Sequence, residues 1–306
     1  MCYLLLTLKQ LQGLLKTIIK YSFYPLILLC TLVSTFYFTE YFHRDYYIFI
    51  PGNVSLVFIF LFIVGERYFP YRKDWFGNRG DLGTDLLQTF VVLPLASKLS
   101  ELAIPFLFYY PIIWASQTVG YFDFTNEWGV FGHFGIALLA CELFYYWFHR
   151  FAHHIPVIWR FHAVHHGAER VYWVNSGRFH FVEAFFSSLV YFLPLIFIGT
   201  TPEVTVLVLT FSSITGFLEH VNINFEAGWF NYIFNTAQHH RWHHSKVIHE
   251  SNKNFGKALI IWDLLFGTFY LPKNAEVGEV GITGKAVSPK FIKQLTYPFQ
   301  KDTTSE

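Results

Sequence analysis

The sequence predicts an all-α integral membrane protein: a bundle of transmembrane helices with a cytoplasmic, histidine-rich helical cap that holds a dimetal site. Three observations predict it. Hydrophobic residues make up 53% of the 306-residue chain and charged residues only 14%, so most of its surface cannot face water. Several apolar stretches approach the ~20 residues that a helix needs to cross hydrocarbon. Thirteen of the fifteen histidines fall between His149 and His249. The same composition excludes a disordered chain, a collagen-like chain and a disulfide-rich secreted domain. A net charge of +1 excludes nucleic acid as the main partner, because phosphate binding needs a basic surplus. Cys2, Cys30 and Cys141 form neither a disulfide framework nor a CxxC metal pair.

The first apolar stretch, residues 22–38, follows Lys9, Lys16 and Lys20. It lacks the small-residue cleavage pattern of a signal peptide, so a retained helix is expected. The second, 46–64, is interrupted by Pro51 and Gly52. The third, 82–115, is broken by Lys98, Glu101 and Pro105, and is expected to cross once, as one helix plus an interfacial piece. Residues 129–148 are the fourth. The fifth and sixth, 181–199 and 204–218, are joined by Thr200-Thr201-Pro202-Glu203, which reads as a tight helical hairpin. Lys and Arg prefer cytoplasmic loops. Arg67, Arg72, Lys73 and Arg79, the N-terminus and the chain after residue 240 are therefore placed in the cytoplasm with the histidines, at a bacterial inner membrane or an endoplasmic reticulum. Residues 118–128 carry Asp123 and Glu127 but no Lys or Arg, and go to the far side. No internal repeat or low-complexity tract is evident, and the terminal KDTTSE reads as a frayed tail.

Three histidine clusters share one spacing logic. His149 and His153 form an HxxxH, followed at once by His154; His162, His165 and His166 form an HxxHH; His240, His243 and His244 form a second HxxHH, preceded by His239. On a helix, positions i, i+3 and i+4 share a face, so each cluster converges. Adjacent residues lie ~100° apart, so each HH pair can feed two different ions across a small gap. Eight imidazoles are too many for one ion and suit two. His220, at the end of an apolar segment, makes a ninth ligand. His180, beside another helix end, either joins the site or lines the path of the substrate. Glu142 lies inside an apolar stretch, seven residues before His149. A buried carboxylate there needs a partner, either a liganding imidazole whose tautomer it fixes or a polar group of another helix. His43, His133 and His249 read as ordinary surface or core side chains.

Neutral imidazole suits zinc, copper and iron alike. A catalytic zinc takes three protein ligands and a water. Four or more imidazoles per ion point instead to a higher-coordinate metal such as iron, with a position left for oxygen. The zinc-protease HExxH is absent, since His249-Glu250-Ser251-Asn252-Lys253 fails at its last position. Nucleophile elbow, Walker loop and dinucleotide fingerprint are also missing, so electrons for oxygen chemistry have to come from a separate protein. The 37 phenylalanines suit an apolar lipid tunnel and a bilayer-facing surface equally.

HxxxH, HxxHH and HxxHH at the mouth of a transmembrane bundle resemble the fatty acid hydroxylase/sterol desaturase superfamily. Asn252-Lys253-Asn254-Phe255-Gly256, followed by Trp262-Asp263-Leu264-Leu265-Phe266-Gly267-Thr268, resembles that family's NYG…WDxxFGT ending. Tyr145-Tyr146-Trp147-Phe148-His149-Arg150 resembles its YYWxHR segment. The resemblance implies a membrane-embedded, non-haem di-iron enzyme that hydroxylates or desaturates a fatty acyl or sterol-like lipid. Two iron ions, O₂ as co-substrate and a cytochrome b5-like or ferredoxin-like electron donor are implied with it. Carried over by residue, its metal ligands are His149, His153, His162, His165, His166, His240, His243 and His244, with the HxN position on His220. Phe181 stands where the family often has a proline after the histidine matched by His180. That leaves the role of His180 open, and His239 and His154, beside the boxes, are with it candidates for extra ligands. Glu142 and Asp263 remain candidates for orienting ligands, and Asp263, like Asn254, is equally suited to capping a turn. The chain then divides into N-terminal transmembrane helices with a basic loop (1–80), a catalytic region (81–272) and a C-terminal tail (273–306). Two other readings stay open: an ether-lipid or carotenoid monooxygenase of the same superfamily, with a pterin reductant, and a non-catalytic metal-binding membrane protein.

Overall fold

The computed structural model describes residues 2–119, 124–284 and 286–300, and among them it is helical with only isolated β-bridges. Residues 120–123 of the expected far-side loop, Asp123 among them, and the expected tail at 301–306 lie outside the described residues. Helix α1 spans Cys2–Tyr41 and α2 spans Ile50–Tyr68. Pro51 does not interrupt α2. It stands in the first turn, where a missing N–H costs no hydrogen bond. Helices α3 (Leu82–Leu87) and α4 (Leu93–Val119) run on from one another through a single π-helical turn, Gln88–Val92. The expected interfacial break is therefore replaced by a bulge within one continuous rod. Helix α5, Phe124–His154, is broken at Gly129 (φ 65°, ψ 177°) and ends in the first histidine cluster.

Helix α6, Pro156–His166, begins on a proline and carries the second cluster. Helix α7, Phe181–Ile198, starts on the His180 cap and stops at Gly199, whose φ of 71° terminates it. Thr201 then caps α8, Pro202–His220. The predicted hairpin is present, but its arms splay: α7 packs mainly on α4 and α5, whereas α8 packs on α1, α2 and α5. Short helices follow: α9 (Ala237–His243), α10 (Ile248–Ser251), α11 (Ile261–Phe266) and α12 (Phe291–Thr296).

Five helical spans among the described residues are long and apolar enough to cross a membrane: 17–41, 44–68, 82–111, 128–154 and 181–198. The expected sixth, in α8, falls short. Thr205, Thr210, Ser212, Ser213, Thr215 and Gly216 lower its hydropathy, and Val204, Leu207, Val208, Phe211, Ile214 and Leu218 are buried in the core. A helix wrapped by other helices needs no lipid-facing apolar shell. Elsewhere Val57, Phe60, Val91, Leu102 and Phe106 stand exposed on the outer faces, as lipid contact requires. Tyr37, Tyr41, Tyr46, Tyr109, Tyr110 and Trp114 are exposed near the end remote from the histidines, an interfacial aromatic belt.

At the histidine end, a buried polar network ties the segment after α6 to α2 and α3. Arg170 reaches Asp81 (2.6 Å), while Arg178 reaches Asp85 (2.6 Å) and Asp81 (3.3 Å). The Tyr172 hydroxyl donates to Asp85 (2.6 Å), and the Trp173 and Asn222 backbone N–H groups donate to Glu66 (2.9 Å each). The segment expected as a tail is docked as far as it is described. The Leu295 carbonyl meets His180, Phe299 packs on Phe161, and the side chains of Gln88 and Gln294 bond at 2.9 Å.

Candidate metal centre

Nine imidazoles from four helices meet at this end of the bundle. Helix α5 delivers His149 and His153 one turn apart, α6 delivers His162, His165 and His166, α8 delivers His220, and α9 with the residue after it delivers His240, His243 and His244. They form two groups. His149, His153, His162, His166 and His243 are one; His165, His220, His240 and His244 are the other. Within each group the facing nitrogens all lie within 4.8 Å of one another. The adjacent pairs part as their angular separation requires: His165 and His166 join different groups, and so do His243 and His244.

Hydrogen bonding sets the tautomers. His149 Nδ1 meets the Phe255 carbonyl (2.8 Å), His153 Nδ1 the Asn252 Oδ1 (3.0 Å), and His243 Nδ1 the Lys253 carbonyl (2.7 Å). His220 Nδ1 meets Asn175 Oδ1 (2.8 Å), and His162 Nδ1 makes a short contact with the Glu183 carboxylate. His240 Nδ1 lies 3.2 Å from Glu219. The His240–Glu219 approach is not a hydrogen bond. Carbonyl and carboxylate oxygens only accept, so the five hydrogen-bonded Nδ1 atoms carry the protons. Their Nε2 atoms are then bare lone pairs, yet they face each other at close range: His149–His162 3.1 Å, His153–His162 3.1 Å, His220–His240 2.8 Å. Lone pairs gathered this way repel unless a cation lies among them, so the donor set fits metal ions. Burial, and then neighbouring imidazoles, hold His162, His165, His166, His240, His243 and His244 well below the usual imidazole range. All are therefore neutral, the form that binds metal.

One loop carries several of these partners. Asp263, buried at the start of α11, accepts from Phe255 N and Gly256 N (2.8 Å each) and from the Thr268 hydroxyl (2.6 Å). Asp263 thereby fixes the carbonyl that holds His149, without touching an imidazole itself. Glu142 acts on the same loop from the other side. It accepts from Lys257 N, Ala258 N and Leu259 N (3.2, 2.7 and 3.1 Å) and from the Tyr191 hydroxyl (3.2 Å). Among the described residues it meets no imidazole. The polar partners it needs are backbone amides, because residues 256–259 turn directly against α5. Gly256 is required by that turn, since a Cβ there would stand 2.1 Å from the Leu259 carbonyl oxygen.

The other candidates point elsewhere. His180 Nδ1 caps α7 at Val182 N, and its Nε2 meets the Leu295 carbonyl. His239 closes the α9 capping box with Thr236 and faces Phe269. His154 is exposed and bonds the Arg150 carbonyl one turn back. The sequence reading missed Glu183, Glu219, Asn175 and Asn252. Glu183 carried a usable signal, since it too is a carboxylate inside an apolar stretch.

A cavity of ≈ 680 Å³ connects the histidines to the membrane region. It opens where α7 and α8 splay. Phe49, Leu56, Phe90, Leu93 and Phe192 line its apolar length, and His149, His165, His220 and His240 stand at its end. Three of those four belong to the four-histidine group.

The fatty acid hydroxylase family model matches residues 134–268. The ornithine lipid hydroxylase OlsE of Rhizobium tropici is 32% identical over 292 residues, which span 91% of this chain and 84% of that protein. Alkylglycerol monooxygenases match over a smaller part. The Danio rerio protein is 37% identical over 134 residues (44% of this chain, 30% of that protein). The Homo sapiens protein is 32% identical over 190 residues (62% and 38%). No solved structure matches the chain.

Proposed function

The chain belongs to the fatty acid hydroxylase family, and from that premise we propose that it inserts oxygen from O₂ into a C–H bond of a membrane lipid, with two iron ions held by its nine clustered histidines. It is a membrane lipid oxygenase, an oxidoreductase; the iron, the outcome of the reaction and the electron donor are our reading. One observation carries it: nine neutral imidazoles, five of them with the tautomer fixed by a hydrogen bond at Nδ1, converge at the end of a lipid-sized apolar cavity. His149, His153, His162, His166 and His243 would hold one ion, and His165, His220, His240 and His244 the other. Five and four imidazoles exceed the three protein ligands of a catalytic zinc, which favours iron. When bound, the metal pair supplies the reductive activation of O₂ that attack on an unactivated C–H bond requires.

The protein's own part is positioning and exclusion. Asp263, Glu142 and Gly256 shape the loop that fixes His149; Glu183 orients His162, and Asn175 orients His220. The cavity places a lipid chain against the four-histidine side, and its apolar walls keep bulk water from a reactive centre. No nicotinamide or flavin fingerprint is present in the sequence, so a separate cytochrome b5-like or ferredoxin-like protein is proposed to supply electrons. We place the histidine end in the cytoplasm. Arg67, Arg72, Lys73, Arg79 and Arg160 cluster there and outnumber Arg44 and Lys98, which lie towards the opposite end.

Lipid extracts from cells expressing the full chain under isotopically labelled O₂ test this reading. A lipid that gains one labelled oxygen atom is the expected product. Loss of two hydrogens without labelled oxygen would make the enzyme a desaturase instead, and no oxygen-dependent change would remove the oxygenase reading. The alkylglycerol monooxygenase matches favour a second reading, in which the lipid carries an ether bond; the same extracts would then show cleavage to an aldehyde.

A further inference from the structure

Lys257 stands immediately after the glycine that lets the loop turn beneath α5, and its side chain lines the cavity. Its stem passes over Gly216 of α8, with Cε 3.6 Å from where a Cβ at that position would stand. The ammonium lies 4.8 Å from the centre of the Tyr191 ring and 5.6 Å from that of Tyr145. Among the described residues it forms no ion pair or hydrogen bond at contact distance, and the carboxylates of Glu142 and Glu219 act on its charge from farther away. Glu142 is already engaged by three backbone N–H groups and a tyrosine hydroxyl, and Glu219 lies against His240. An ammonium taken into an apolar cavity is costly unless a partner meets it, and two aromatic faces supply only part of that.

We infer that Lys257 is a specificity-determining residue that anchors an anionic oxygen group, a carboxylate or phosphate, of the lipid in the cavity. This rests on the reading above, in which the cavity receives the lipid. Tyr145 joins the anchor to the metal centre, because its ring also lies 5.6 Å from that of His149. An anion held by Lys257 is therefore beside the histidines, and the carbon presented for oxidation belongs to the polar end of the lipid rather than to its methyl end. The depth agrees, since the histidines stand where the helices reach the membrane boundary, the level of lipid headgroups. The hydroxyls of Ser187, Ser188, Ser212 and Ser213 line the cavity further along, where ester, amide or ether links of the same lipid would lie.

The test is equilibrium binding of four radiolabelled probes to the full chain in nanodiscs: dodecanoate, dodecyl phosphate, methyl dodecanoate and dodecylamine. The wild type is expected to hold at least one of the two anions about tenfold or more tighter than the ester. Lys257→Met, which keeps the apolar stem, should erase that preference and leave the ester unchanged, and Lys257→Arg should retain it. Dodecanoate ahead of dodecyl phosphate identifies a carboxylate; the reverse order identifies a phosphate. Equal binding of anions and ester by the wild type, tightest binding of the amine, or an anion preference that survives Lys257→Met would overturn the assignment. Saturable binding without charge preference removes only the role of Lys257. Failure of every probe to bind saturably removes the lipid-cavity reading with it.

Discussion

His243→Ala protein is expected to retain about one iron per chain where the wild type holds about two, and to form product at below about one-hundredth of the wild-type rate, beyond the loss typical of an outer partner. His243 belongs to the five-histidine group, and its Nδ1 is tied to the Lys253 carbonyl. Removing it deletes a ligand and leaves that half-buried carbonyl without its donor. His165→Ala should act in the same way on the other group, which borders the cavity. Elemental analysis of the purified variants, with turnover measured in the same preparations, checks both. Full metal content and activity in either variant would sink the assignment of these histidines as ligands.

The second large effect is expected at a residue that touches no metal. Glu183→Gln should weaken metal retention or turnover about 10–100-fold, although both residues can accept from His162 Nδ1. The carboxylate is buried in the first turn of α7, directly against that imidazole. Its charge strengthens the lone pair on Nε2 and helps balance the positive charge of the bound metal, which an amide does not do. Chelator competition read by metal release separates this from a purely structural role, because a folding defect would change the yield of protein and not the metal affinity of what is recovered. Unchanged metal release and turnover would show that Glu183 only fills space.

The nine clustered histidines were legible because helical spacing fixes direction. Residues three and four apart share a face, and adjacent ones part. The groups that orient them were not legible. Asn175 and Asn252 sit in loops, and the Phe255 and Lys253 carbonyls belong to every sequence alike, so only the folded path of the chain reveals them. Glu142 shows the limit of the spacing argument. Its place seven residues before His149 suggested contact along one helix face, yet a segment more than a hundred residues later turns back to supply its partners. His239 reads as a ligand because it adjoins a cluster, but the first turn of α9 needs a cap and uses it there. Helix α8 reads as a membrane span from its apolar residues, but those residues pack against other helices, and its threonines, serines and glycine leave its hydropathy short of the five spans. The docking of the segment before residue 301 is not legible, because its contacts, such as Gln294 with Gln88, are single polar pairs rather than a periodic apolar face.

The central claim is that the two histidine groups hold a pair of irons, and Mössbauer spectroscopy on iron-57-loaded, full-length protein, with iron counted per chain, tests it most directly. About two irons per chain are expected, in a magnetically coupled pair of histidine-rich sites. A single uncoupled iron, or none retained after anaerobic loading with ferrous iron and a reductant, would contradict it.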